Sequence, residues 1–172
     1  MAQTNCLISG GYTLGCLDNI GGVQEVYLAN WSSDVEYESS VDNTITGITS
    51  GSTYYKFETP KQTAGLTETP NVSVENGTVF YNQELSLVLN KMEAELRNQV
   101  LLITRATTTI IVKDQNGNYW LIGKQNGSNV SGGAHGTGLA YGDRNGYSLV
   151  ISAMEPESVH PIDYAGFSAL IG

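Results

Sequence analysis

The chain has 172 residues and 18.4 kDa, the size of one domain, with 40% apolar residues to build a core and only 15% charged ones. Eight Lys and Arg against 17 Asp and Glu give a net charge of −9, which argues against a nucleic-acid reader with a basic face. No apolar run approaches the roughly 18 residues of a membrane helix. No signal peptide is expected, since Met1 to Asn5 carry no Lys or Arg and no long apolar stretch follows.

Two cysteines exclude a disulfide scaffold and a four-cysteine zinc site. Cys6 and Cys16 read more simply as small half-buried side chains in a reducing cell than as a disulfide. The acids are unevenly spread: residues 1–75 hold nine acids and two bases, whereas residues 76–172 hold eight and six. An acidic face is therefore expected in the first half, with an ordinary solvated surface as the plainer reading.

Two-residue alternation dominates the chain and predicts strands. Residues 23–30 follow Gly21-Gly22 and place Val23, Glu25, Tyr27 and Ala29 on one face, with Gln24, Val26, Leu28 and Asn30 on the other. Residues 53–58 are rich in aromatic residues and Thr, which suit a pleated, half-buried surface, and Pro60 limits their far end. Residues 71–81 predict a hairpin turning at Asn76-Gly77, with a type I′ turn. In its outgoing strand Tyr81, Leu85, Leu87 and Leu89 face one side and Asn82, Glu84 and Ser86 the other.

Residues 90–105 break this pattern. Met92, Leu96, Val100 and Ile103 form a helical stripe, and Asn90 with Glu93 matches an N-terminal capping box. A second hairpin follows, with a β-branched strand at 108–114, a turn at Asn116-Gly117 and a return strand at 118–124. Residues 128–145 read as a glycine loop and 146–154 as a last strand, with Tyr147, Leu149, Ile151 and Ala153 on one face. The tail holds Pro156 and Pro161 and ends in an apolar stretch, 162–171, that needs a partner surface.

The expectation is a single mainly β domain over 1–172, a β-sandwich or small barrel with a single packed α-helix at about 90–105. Its two polar loops, 32–52 and 128–145, exceed the usual ~12–15 residues and are expected to be ordered by neighbouring subunits.

The chemical motifs lead nowhere catalytic. Gly123-Lys124-Gln125 lacks the hydroxyl and the upstream glycine of a P-loop. The stretch GGAHGTGLAYG at 132–142 has no helix behind it to face a phosphate with aligned amides. His135 and His160 have no nucleophile elbow beside them. Asp114 to Gly117 and Asp143 to Gly146 both read D-x-N-G but lack the closing acid of a calcium loop, and Asx turns explain them more simply. The acids Asp34, Glu36 and Glu38 would share one face of a strand, as an edge that blocks aggregation. The sequons at Asn30, Asn71, Asn76, Asn126 and Asn129 are what a chain rich in Asn, Ser and Thr contains by chance. No catalytic, cofactor-binding or metal residue is assigned, and no cofactor is expected.

From Glu84 onward the order of elements resembles phage tail-tube-type structural proteins. A long strand and one helix precede a hairpin, here IIVKDQNGNYWLIGKQNG, and a glycine loop leads to a final strand, here DRNGYSLVISAME. The opening SGGYTLGCLDNIGGVQEVYLAN is similar to openings of structural proteins in crAss-like and related phages of gut bacteria. The resemblance implies a non-enzymatic virion protein, assembled in the host cytoplasm and located in the tail. It implies a homo-oligomeric ring of a tail tube or of a head-proximal tail barrel. Its partners would be copies of itself, adjacent ring or portal proteins, and DNA passing through the lumen, with no membrane.

An acidic lumen suits such a channel, because Lys and Arg would bind phosphate and retain DNA. Glu25, Glu36 and Glu38 are the residues expected to face it. The alternative is a carbohydrate- or receptor-binding β-sandwich module, with Trp31, Tyr54, Tyr55, Tyr119 and Trp120 as stacking residues.

Overall fold

A computed structural model describes residues 8, 10–40, 42–48 and 52–171. The described residues form eleven strands and two helices. The strands are β1 (Val23–Asn30), β2 (Tyr37–Ser39), β3 (Ile45–Ile48), β4 (Tyr55–Phe57), β5 (Gly65–Ser73), β6 (Thr78–Asn90), β7 (Thr108–Asp114), β8 (Tyr119–Ile122), β9 (Ser128–Gly136), β10 (Gly146–Glu155) and β11 (His160–Ile162). Helix α1 (Ala94–Ile103) lies between β6 and β7, and α2 (Tyr164–Ile171) follows β11.

The strands divide into two layers joined at one corner. In the first, β7 pairs antiparallel with β1 on one side and β8 on the other; β4 extends beyond β1, and β11, β3 and β2 extend beyond β8. In the second, the order is β9-β10-β6-β5, all antiparallel. The corner is the single pair Thr108↔Ser128 between β7 and β9.

Period-two patterning explains the layering. Leu85, Leu87 and Leu89 of β6 and Tyr147, Leu149, Ile151 and Ala153 of β10 share an inward face, as alternation predicts. They meet Val26 and Leu28 of β1, Ile110 and Val112 of β7 and Ile122 of β8 in an inner core. The β1–β7–β8 layer is buried on its other face too. There Tyr27, Ala29, Ile111 and Leu121 pack against Ile45, Ile162 and, from α2, Phe167 and Leu170. A strand covered on both faces must be apolar at consecutive positions, which is why Thr108 to Val112 is buried without interruption.

Several expectations need correction. The helix is shorter than 90–105, and the capping box does not form: the N-cap is Glu93, with no side-chain cap bond. Asn90 is instead the last residue of β6, paired with Gly146, and Lys91 turns the chain at φ 71°. Val100 and Ile103 are buried in the inner core, while Met92 and Leu96 are half-buried at its margin. The helix is not the sole one. The apolar tail forms α2, started by Asp163, whose carboxylate accepts the Gly166 N–H at 2.6 Å. Gly166 sits so close to the Ile45 carbonyl that a β-carbon would meet it at 2.5 Å. α2 therefore docks directly on β3 and supplies the partner surface that the tail requires.

Neither long polar stretch is a plain loop. Residues 128–136 are β9, paired along β10. Within 32–52 lie β2 and β3, with Ile45 fully buried and paired in parallel with Ile162. Residues 41 and 49–51 of that stretch lie outside the described residues. The turn at Asn76-Gly77 is also not type I′. Only Gly77 has positive φ, and four residues separate Ser73 from its partner Thr78.

Candidate functional site

The chemical candidates are occupied structurally. Asp114 Oδ1 accepts the N–H groups of Asn116 and Asn118 at 2.9 and 2.8 Å, and its Oδ2 accepts from Asn118 Nδ2 and Trp120 Nε1, both at 3.2 Å. Burial pushes its pKa up, but these bonds outweigh burial and hold the carboxyl below its ordinary value. It closes the β7–β8 turn. Asp143 caps the residues before it, accepting N–H from Leu139 and Ala140 at 2.8 and 2.9 Å.

His160 is buried, with Nε2 at 3.2 Å from Glu157 Oε2. His135 is exposed on β9 beside the Tyr147 ring. Glu155 is almost fully buried and accepts the N–H groups of Gln125 and Asn126 at 3.1 and 2.8 Å. Burial raises its pKa against those bonds. Among the described residues no three His, Cys, Asp or Glu side chains converge as metal ligands would. Cys16 is exposed, and Cys6 lies outside the described residues.

The acids expected on one wall are not equivalent. Glu25 is half-buried: Lys56 Nζ lies at 2.9 Å, Lys113 Nζ at 3.9 Å, and the Tyr27 hydroxyl donates to it at 2.9 Å. The Lys56 hydrogen bond holds Glu25 below the usual carboxylate range, against partial burial. Burial and the bond to Glu25 push Tyr27 up to about 12. Glu25 is thus a neutralised member of a network on the α2 side of β1. Glu36 and Glu38 are exposed on either side of Tyr37, which turns into the outer core. The strand there begins only at Tyr37, so Asp34 and Glu36 do not continue a strand face.

The stacking residues of the sugar-binding alternative are also dispersed. Tyr54 is buried, Tyr119 stacks on Phe167 with ring centres 4.0 Å apart, and Trp120 is held by Asp114. Trp31 packs on Gly127, where a β-carbon would meet its ring at 2.9 Å. Of the five, Tyr55 alone is largely exposed.

What the surface does concentrate is apolar side chains on projecting backbone. The β5–β6 hairpin carries Val72, Val74, Val79 and Phe80 exposed at its tip. The turn after β9, shaped by Asp143 and by Gly138 at φ 71°, holds Leu139 and Tyr141 entirely in solvent. The described residues before β1, 8 and 10–22, form no strand or helix and expose Ile8, Tyr12, Leu14 and Leu17. An open, mostly apolar groove of about 490 Å³ lies between α1 and the β9–β10 pair. Its walls include Val100, Leu101, Val130, Gly133, Tyr147 and Leu149.

Sequence reading missed β9 because it scored glycines as loop. The signal available was Ser128 to Val130, all three of which pair with β10, with Val130 packed at the core margin. No protein family, curated protein or solved structure matches this chain.

Proposed function

We propose that the chain is a non-enzymatic structural subunit that assembles with copies of itself, as a ring of a phage tail tube or head-proximal tail barrel in the virion. The observation that carries assembly is the contrast between two closed cores and three projections that expose large apolar side chains. Monomeric soluble proteins rarely leave such side chains clustered in solvent unless they meet a partner. The tail assignment rests on the resemblance of the sequence order from Glu84 onward, long strand, single helix, hairpin, glycine-rich segment read as a loop and final strand, to tail-tube-type proteins. The acidic balance of −9 agrees with a channel wall that does not retain DNA.

Sedimentation velocity across a concentration series, followed by negative-stain electron microscopy, tests this. Rings or short tubes, formed alone or with an adjacent tail protein, are the expected result. A chain that stays monomeric at high concentration and retains glycans on an array overturns it in favour of a binding module.

A further inference from the structure

Among the described residues the four sheet edges are defended unequally. β4 and β2 are three residues long, too short to template another chain. β5 is nine residues long but carries Glu68 and Pro70, a charge and a residue that cannot donate to a ladder. β9 is also nine residues long, and beyond Ser128 its outer edge pairs with nothing described. From residue 128 to residue 142 there is no Asp, Glu, Lys, Arg or Pro. Gly132, Gly133 and Gly136 interrupt its side chains, and glycine within a strand marks a place where another backbone can approach closely. The apolar groove under α1 runs along this same strand.

The segment before β1 has the complementary pattern. Ile8, Tyr12, Leu14 and Cys16 share one parity, while Gly11, Thr13 and Gly15 share the other. This is the alternation of a half-buried strand, yet its described residues pair with no strand and the large side chains among them are exposed. Residues 8–17 carry no charge, so entering an apolar groove costs no ion desolvation.

The segment is tethered across the second layer from its own groove: Asn19 and Ile20 line a cleft with Gly65 and Leu66 of β5, whereas the groove follows β9, with β6 and β10 between them. Asn116, in the β7–β8 turn, accepts the Ile20 N–H at 2.9 Å and donates to the Ile20 carbonyl at 3.0 Å and to Asn19 Oδ1 at 2.7 Å. That clamp lies at the Asp114 end of β7. Helix α1 and the start of β9 lie at the Thr108 end, where α1 residues Leu102 and Ile103 line a cleft with Leu28 and Thr108. The seven residues of β7 span about 20 Å. Leu17 and Asp18, the link between residues 8–16 and the clamp, reach about 7 Å.

We infer that residues 8–16 of one copy add as a strand to the outer edge of β9 in a second copy, seating Ile8, Tyr12, Leu14 and Cys16 in the groove beneath α1. The contact rests on the assembly reading above and specifies its surface. Donor and acceptor lie at opposite edges of the β9-β10-β6-β5 layer, so the contact propagates head-to-tail into a ring or a filament unless two copies exchange arms reciprocally, which closes a dimer that light scattering distinguishes. Main-chain bonds along β9 supply affinity, and the alternate side chains in the groove supply register.

The test compares three proteins by light scattering and amide hydrogen exchange: the full chain, a chain lacking residues 2–17, and Gly132→Lys in the full chain. A β-carbon at Gly132 meets nothing within 4 Å, so a lysine there meets no clash, and it places a charge on the glycine edge that the arm would pair with. The probe is a synthetic peptide of residues 8–17. The full chain is expected to oligomerise and both variants to remain monomeric. The peptide is expected to slow exchange of the 129–136 amides in the truncated chain about tenfold or more, and to leave those of Gly132→Lys unchanged.

Equal assembly of the truncated and full chains, with β9 exchange unaffected by peptide, overturns the arm contact and leaves assembly standing. A full chain that is monomeric at every concentration overturns both readings. A monomeric full chain whose β9 is already protected shows the arm closing on its own subunit and overturns the second-copy contact.

Discussion

Ser128 and Thr108 join the two layers. The buried Ser128 hydroxyl donates to the Thr108 carbonyl at 2.7 Å, and the two hydroxyl oxygens lie 3.0 Å apart. This is the one register pair between β7 and β9, at the point where the chain passes from one sheet to the other. Gly127, just before it, has φ 74° and lies against Trp31 and Thr107, so the corner admits no bulkier residue. Ser128→Ala leaves the Thr108 carbonyl without its side-chain donor in a site closed to water. The expected cost is about 1–3 kcal/mol, read as a lower urea midpoint with unchanged slope. A loss under about 0.5 kcal/mol would mean the corner is held by packing alone.

The inner core predicts a graded series. Leu87 is fully buried between the layers, whereas Leu96 is half-buried at the core margin. Leu87→Ala opens a cavity and is expected to cost about 2–5 kcal/mol. Leu96→Ala removes a partly solvated side chain, and its expected cost is about 1 kcal/mol. Urea denaturation of both variants checks the order; an equal or larger loss at Leu96 would contradict the packing described for α1.

These cases show which parts of the fold are legible in the sequence. Where one strand face is apolar and the other polar, as in Leu85 to Leu89 or Tyr147 to Ala153, alternation places each side chain on its observed face. Alternation also separates Val26 and Leu28 from Tyr27 and Ala29, although all four are buried, in different cores. What it does not contain is the identity of the second cover. The helix over Tyr27 and Ala29 comes from a tail whose apolar residues suggest burial but not shape; Asp163, three residues before Gly166, is the local signal for its start. β9 is a strand because β10 pairs with it, a tertiary cause that overrides the loop propensity of its glycines. Glu25 likewise sits in an alternating stretch, but its lysine partners come from β4 and β7 and are invisible locally.

The turn carrying Leu139 and Tyr141 is expected to loosen in acid. The N–H groups of Ala140 and Leu139 hold the Asp143 carboxyl below its ordinary value of 3.8. A carboxyl depressed in the folded state stabilises it above the ordinary value, and that contribution is lost as pH falls through the depressed one. Protection of the Leu139 and Ala140 amides, corrected for intrinsic exchange, should therefore be full above about pH 5 and fall below about pH 4. Asp143→Ala should abolish it at every pH without lowering the global urea midpoint. Protection that is flat with pH would show that Gly138 and the chain path, rather than the carboxylate, shape the turn.

The acids differ in what charge reversal does to them. Glu25→Lys places a third ammonium beside Lys56 and Lys113 and removes the acceptor of the Tyr27 hydroxyl, so a loss on the order of 1 kcal/mol is expected, largest at low salt. Glu36→Lys and Glu38→Lys change exposed side chains and should stay within about 0.5 kcal/mol of the parent. That leaves Glu36 and Glu38 as the clean probes of a DNA-facing wall. If they line the channel of an assembled tail, the lysine variants should assemble normally and slow DNA ejection at low salt. The effect should vanish as salt displaces phosphate contacts. Ejection at the parental rate from normally assembled particles would place these two acids on the outer surface, and it would do so without touching the β9 contact or the assembly itself.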